Sequence, residues 1–200
     1  MNNTIDCKGL QCPLPVVKAK KYFDSIESGE NTIIVDNLVA KNNIVKLAQG
    51  SGYKSAVEQK QELFFIKITK EKSEKSERNE IKDVKVKEKK KFTLVVSTDK
   101  LGMGNDQLGD ILMKSYIFAL SEADSIPNDL LFINGGVKLT IDDSTVLDSL
   151  NKLIQRGTNI LVCGTCLDFY NLKDKLSIGE ITNMYTIVQL MNEADKTIKI

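Results

Sequence analysis

The 200-residue chain contains no histidine. That absence removes the commonest general base, every Ser-His and Cys-His pair, and every mixed Cys/His metal site. Any thiol chemistry must then draw on helix ends, backbone N–H groups and lysines. No apolar run is long enough to span a bilayer, and the opening MNNTIDCKGLQCPLP lacks a basic region followed by an apolar stretch. These features predict a cytoplasmic protein with no membrane segment and no signal peptide. With 28 Lys and Arg against 27 Asp and Glu, the formal net charge is +1, so overall charge gives no argument for nucleic acid or membrane partners. Cysteine is scarce, being confined to Cys7, Cys12, Cys163 and Cys166. In a reducing compartment these four point to catalysis, redox chemistry or metal binding rather than to structural disulfides.

The remaining composition, 42% hydrophobic and 28% charged, is that of a soluble globular chain with one large domain or two small ones. The stretch KEKSEKSERNEIKDVKVKEKKK, residues 70–91, has Ile81, Val84 and Val86 as its only clear apolar residues and cannot bury a core. It reads as a charged linker, with a solvated helix of Glu/Lys pairs as the alternative. Either way it divides the chain into domains at 1–69 and 92–200. As flexible chain, the stretch would span roughly 25 Å as a root-mean-square distance.

In the first domain TIDC and NTIIVD read as strands, NNIVKLAQGSG as a helix closed by glycine, and YKSAVEQ with ELFFIKIT as a hairpin. With a helix after Cys12 the order is βαβαββ, a two-layer α/β unit. In the second domain FTLVVST, DLLFING, NILVCGT and KTIKI read as strands. Between them, NDQLGDILMKSYIFALSE, DSTVLDSLNKLIQRG and ITNMYTIVQLMNEA read as helices. Strands alternating with helices predict a mostly parallel sheet covered on both faces, with sites at the carboxyl ends of its strands.

Two cysteine settings carry the chemistry. Cys12 stands before Pro13 and Pro15, which fix their own φ, lack N–H donors and bar a helix from extending back through Cys12. Val16, Ala19, Phe23 and Ile26 then recur at helical spacing. Cys12 therefore sits at or within a turn of a helix N-terminus with no Ser, Thr, Asp or Asn cap, where orphan N–H groups would favour a thiolate. Cys7 reads as a core position on the preceding strand, ahead of a resolving thiol.

Cys163 and Cys166 form a CxxC after an apolar strand, with Gly164 free to turn between them. A reversible disulfide, a persulfide acceptor with a resolving partner, and half of a metal site all fit that spacing. A closed zinc site would need Cys7 and Cys12 as further ligands, and metal is the least favoured reading. The stretch LGMGNDQLG opens a helix after a strand, but Gln107 occupies the third glycine position of a dinucleotide loop and no Walker lysine follows. A small-anion site, or packing over Cys166, suits it better than nucleotide binding. Gly135 and Gly136 read either as donors near a sulfur anion or as a tight turn.

Asp6, Gly9, Leu10, Cys12, Pro13 and Pro15, with the βαβαββ order, make residues 4 to 69 resemble the TusA/SirA-like sulfur carriers, whose signature is Cys-Pro-x-Pro at a helix N-terminus. The resemblance implies a persulfide on Cys12. The second domain resembles the DsrE family, a flavodoxin-like α/β/α fold of sulfur relay, through LGMGNDQLGDILMKSY, FINGGVKLT and VCGTCLDFYNLKDKLSIGEITNM. The whole chain is similar to two-domain YedF-type proteins associated with selenium metabolism.

What the resemblance implies is a sulfur- or selenium-handling carrier or transferase. Cys12 would bear a persulfide or selenopersulfide, and Cys166, ahead of Cys163 because it lies further into the loop, would be the acceptor or donor. No cofactor beyond the covalent persulfide is implied. The implied partners are a cysteine desulfurase or another sulfur or selenium donor, an acceptor protein, and further copies of the chain through the DsrE-like domain. Two other classes fit the residues: a CxxC dithiol oxidoreductase with the first domain as docking adaptor, and a noncatalytic partner-binding module using the basic stretch KVKEKKK.

Overall fold

The computed structural model describes residues 4–11, 13–72 and 90–200. Cys12 and most of the expected charged linker, with Ile81, Val84, Val86 and most of KVKEKKK, lie outside the described residues. The chain divides into two compact units, Met1–Val84 and Lys85–Ile200. No helix among the described residues is long and apolar enough to cross a membrane.

The first unit runs β1 (Thr4–Asp6), α1 (Leu14–Asp24), β2 (Gly29–Val35), α2 (Leu38–Gly50), β3 (Lys54–Lys60), β4 (Leu63–Lys70). Its sheet has the order β1-β2-β4-β3, with β1 parallel to β2 and the other pairs antiparallel. Alternation in β2 buries Asn31, Ile33 and Val35, and β4 adds Ile66 and Ile68. Against them α1 buries Pro15, Ala19 and Phe23, and α2 buries Ala40, Ile44 and Ala48, each set at helical spacing. Fully burying a side chain such as Phe23 contributes about 1.5–3 kcal/mol. The second helix starts four residues ahead of the expected NNIVKLAQGSG, because Asn37 caps it by accepting the Ala40 N–H at 2.8 Å. Lys70, placed by composition at the start of the linker, instead closes β4, and its ammonium donates to the carbonyls of Phe23 at 2.7 Å and Ile26 at 2.6 Å.

The second unit contains β5 (Phe92–Val96), α3 (Asp106–Glu122), β6 (Asp129–Phe132), a 3-10 helix at Asn134–Thr140, α4 (Leu147–Gln155), β7 (Asn159–Cys163) and α5 (Gly164–Phe169). A one-turn 3-10 helix (Lys173–Lys175), β8 (Glu180–Thr182), α6 (Met184–Glu193) and β9 (Lys196–Lys199) follow. All five strands are parallel, in the order β8-β7-β6-β5-β9. β6 is buried at every position, and β5 and β7 are buried beyond their first residues, as a sheet covered on both faces requires. The unit is an α/β/α sandwich of flavodoxin-like type.

Three local expectations change. Residues 181–183, read as the start of the last helix, form β8 and the Asn183 cap, whose side chain accepts the Thr186 N–H at 3.1 Å. The segment NGGVKLT is a turn of 3-10 helix. Cys166 lies in the short α5 rather than in a loop.

Candidate functional site

In the first unit, Cys7 follows β1 and is completely buried among Ala19, Ile33 and their neighbours, its N–H donating to the Ile34 carbonyl at 2.8 Å. Burial pushes its thiol above the ordinary value, outweighing the pull of Lys18. Cys7 is a core residue. Cys12 itself is outside the described residues; the segments on either side of it in the chain are described. The Asp6 carboxylate accepts the Lys8 N–H at 3.0 Å, and Asp36 accepts the Gly9 N–H at 2.6 Å. Those main-chain bonds hold both carboxyls below the usual carboxylate range. Gly9 has φ +70°, a left-handed conformation that suits glycine. Gly9, Leu10 and Gln11 then line an open cleft of about 320 Å³ with Asp36, Asn37 and Val39.

The start of α1 offers fewer donors than an uncapped helix usually does. Pro13 is the N-cap and accepts the Val17 N–H at 3.1 Å; Leu14 donates to the Gln11 carbonyl at 3.0 Å; Pro13 and Pro15 have no N–H. The expected set of orphan N–H groups is thereby largely spent on the turn itself.

In the second unit the apolar strand β7 ends at Cys163, and α5 begins at Gly164. A Cβ on residue 164 would lie 3.0 Å from Ile181 Cγ2, so glycine lets α5 start against β8. A spacing of three residues within one helical turn sets the two sulfurs on one side, 2.7 Å apart. Cys163 is 2% exposed, whereas Cys166 is half-buried. Burial pushes the Cys163 thiol above its ordinary 9.0, reinforced by the Cys166 sulfur and opposed by the N–H groups of Cys166 and Thr165.

The next strand completes the site. At the end of β6 the main-chain N–H of Asn134 donates to Cys166 Sγ at 3.1 Å. Asn134 has φ +47°, the left-handed region that asparagine tolerates better than most residues. The Asn134 side-chain oxygen accepts the Tyr170 hydroxyl at 3.0 Å, Lys138 sits 5.1 Å from the Tyr170 ring centroid, and Asp99 pairs with Lys138 at 3.5 Å. The turn presses close to β5, since a Cβ on Gly136 would lie 2.2 Å from the Val96 carbonyl oxygen.

Of the two glycines read either as donors near a sulfur anion or as a tight turn, Gly136 lies in the turn. The N–H of Gly136 is taken by the Ile133 carbonyl at 3.0 Å, and the donor to sulfur is the preceding Asn134. Neither Asn134 nor Tyr170 stood out in the sequence, where their only hint was nearness to Gly135 and to the CxxC. The LGMGNDQLG loop is anchored by Leu101 N–H to the Gly109 carbonyl and by Lys100 to Asp106 at 2.8 Å, with Met103 fully exposed at its tip. Among the described residues no cluster of three or more Cys, Asp or Glu side chains is placed to hold a metal ion.

A parallel α/β sheet with a paired-thiol site at one carboxyl end, joined in one chain to a small βαβαββ unit, defines a two-domain thiol protein. The chain belongs to the DsrE/DsrF-like family, whose model matches residues 90–200, and residues 3–70 match the model described as sulfurtransferase TusA. YrkI of Bacillus subtilis, named as a candidate sulfur carrier protein, is 32% identical over 62 residues, which cover 30% of this chain and 81% of YrkI. A SirA-like protein of Desulfitobacterium hafniense is 36% identical over 33% of this chain and 93% of its own, with a TM-score of 0.32. The ychN protein of E. coli is 18% identical over 55% of this chain and 99% of its own, with a TM-score of 0.44.

Proposed function

We propose that the chain is a sulfur or selenium carrier in which a persulfide or selenopersulfide on Cys12 passes to Cys166. The observation that carries the reading is the setting of Cys166: a half-buried thiol that accepts one main-chain N–H, beside a second thiol, at the carboxyl end of a parallel strand. A sulfur anion is stabilised by such a donor, and thiolate attack on a persulfide needs no histidine. On the first unit, the TusA match and the pinned approach through Gly9 and Gln11 support Cys12 as the loading point. The donor is a cysteine desulfurase or an equivalent source, and the acceptor is a further protein thiol. Exposed Ile181, Met184, Tyr185 and Val188 on β8 and α6 support self-association of the second unit as part of the same proposal.

The test is anaerobic loading with a cysteine desulfurase and cysteine, followed by mass mapping of every cysteine. One added sulfur should appear first on Cys12 and later on Cys166. Cys12→Ser, which puts a good helix-capping residue at that site, should lose both signals while remaining folded. Stoichiometric sulfur on residues 1–69 of that variant would refute the carrier role of Cys12. The 2.7 Å sulfur separation also favours a second reading, a dithiol oxidoreductase, which predicts oxidation of Cys163 and Cys166 without any sulfur gained.

A further inference from the structure

In the proposed transfer the accepting sulfur is that of Cys166, and the buried Cys163 lies directly against it. At 2% exposure Cys163 is closed to any large partner, and it touches the half-buried Cys166 sulfur. We infer that Cys163 is the resolving thiol of the second unit, discharging a persulfide on Cys166 as sulfide and leaving a Cys163–Cys166 disulfide. The inference rests on Cys166 being a persulfide acceptor and adds what becomes of the sulfur there.

The step balances as thiol–disulfide exchange. Cys163 Sγ attacks Cys166 Sγ, the inner sulfur of the persulfide. The bond between inner and outer sulfur breaks as the Cys163–Cys166 bond forms, and the outer sulfur leaves with the bonding pair. Cys163–SH and Cys166–S–S⁻ thus become the disulfide and HS⁻. The outer sulfur is reduced, the two cysteines are oxidised by two electrons, and a dithiol reductant returns the disulfide to the starting thiols.

Each feature of the pair serves this step. The outer sulfur of an ionised persulfide can leave only as a doubly charged ion unless it gains a proton. The buried Cys163 thiol holds its proton until it passes it to that outer sulfur, and the Cys163 thiolate left behind is the group that attacks Cys166 Sγ. The Asn134 N–H, 3.1 Å from Cys166 Sγ, holds the attacked atom in place from the neighbouring strand. Three-residue spacing from the end of β7 into the first turn of α5 keeps the sulfurs together.

The experiment uses the full chain carrying Cys12→Ser, so that loading is confined to the second unit. The reduced protein is exposed anaerobically to inorganic polysulfide and desalted. Free sulfide is then measured as it appears, and both thiols are mapped by alkylation and mass. With Cys163 present, each chain should release one sulfide and lose two hydrogens across Cys163 and Cys166, and a dithiol should restore both thiols. With Cys163→Ser, or with Cys163→Ala if the buried hydroxyl disturbs folding, Cys166 should retain one added sulfur. Sulfide release should then fall at least about tenfold. A chain with both thiols that keeps the added sulfur on Cys166 and forms no disulfide overturns the resolving role and leaves the acceptor reading standing. Failure of both Cys163 variants to take up sulfur at Cys166 overturns the acceptor reading and the resolving role with it.

Discussion

The main-chain N–H of Asn134, at the end of β6, points at Cys166 Sγ, one turn beyond the end of β7, from 3.1 Å away. Neighbouring parallel strands thus bring together a donor and a sulfur that are 32 residues apart in the chain. The Tyr170 hydroxyl steadies the arrangement by donating to the Asn134 side chain. Tyr170→Phe removes that bond and keeps a ring for Lys138. A hydrogen bond of this kind is worth about 1 kcal/mol net, so alkylation of Cys166 in the variant should slow by about fivefold or less. An unchanged rate would show that Asn134 holds its position without the tyrosine.

Cys166 should react with iodoacetamide faster than Cys163, because it is half-buried while Cys163 is 2% exposed. The Cys163 thiol also stands above 9.0, so its labelling should need strongly alkaline solution. The same shift bears on stability. A pKa raised by folding gives stability that is complete below the unfolded value and lost as pH rises through the folded one. The second unit should therefore weaken above about pH 9, and Cys163→Ala should reduce that loss. Thermal unfolding across pH 7 to 11 checks the point, and faster labelling of Cys163 would reverse the assignment.

Gly136→Ala places a methyl carbon 2.2 Å from the Val96 carbonyl oxygen, an overlap that only backbone movement can relieve. The cost should be about 2–4 kcal/mol, by analogy with overpacked cores. Denaturant unfolding measures it. Because the 3-10 helix carrying Gly136 begins at Asn134, the substitution should disturb Cys166 reactivity as well.

The Gly9–Asp36 bond makes a separate prediction for the first unit. Asp36 is exposed, and its carboxyl lies below the usual range chiefly because of the Gly9 N–H. A lowered carboxylate pKa stabilises above the unfolded value and loses that effect as pH falls through the folded one. The protection of the Gly9 amide, relative to its intrinsic exchange rate, should fall as pH drops below about 4 and should be low at all pH values in Asp36→Asn. Equal protection in both proteins would place the anchor elsewhere.

Transfer from Cys12 to Cys166 should be an intramolecular reaction. A tether of this length gives an effective concentration near the millimolar range, well above a micromolar solution. The transfer rate should therefore be independent of protein concentration. Chains with Cys12→Ser mixed with chains with Cys166→Ser should exchange sulfur more slowly, unless self-association lets one copy serve another.

The long elements were legible because their periodicity is strong and their ends carry recognisable chemistry. The buried runs FTLVV and NILVC could only be strands between helices, and Gln49 to Gly52 closed α2 as glycine-rich helix ends do. The short elements were not legible. α5 spans six residues, too few to show a helical period, and β8 is three residues at a sheet edge, with Glu180 and Ile181 exposed. The CxxC and its strand end could be read directly, but the donor to Cys166 could not. It is a main-chain N–H, carried by whatever residue the parallel register of β6 and β7 happens to put there.

The parallel register has a further consequence, for the order in which the chain can fold. β5 opens the second unit, yet one of its two partners is β9, whose residues come about a hundred positions later. The Ile200 carbonyl accepts both the N–H and the hydroxyl of Ser97, and its own N–H returns to Val95. During synthesis β5 must wait beside a missing neighbour until residues 196–200 clear the ribosome, whereas the four described strands of the first unit are complete by Lys70. The nascent chain thus holds the strands of the first unit well before β9 is available to pair with β5 in the second.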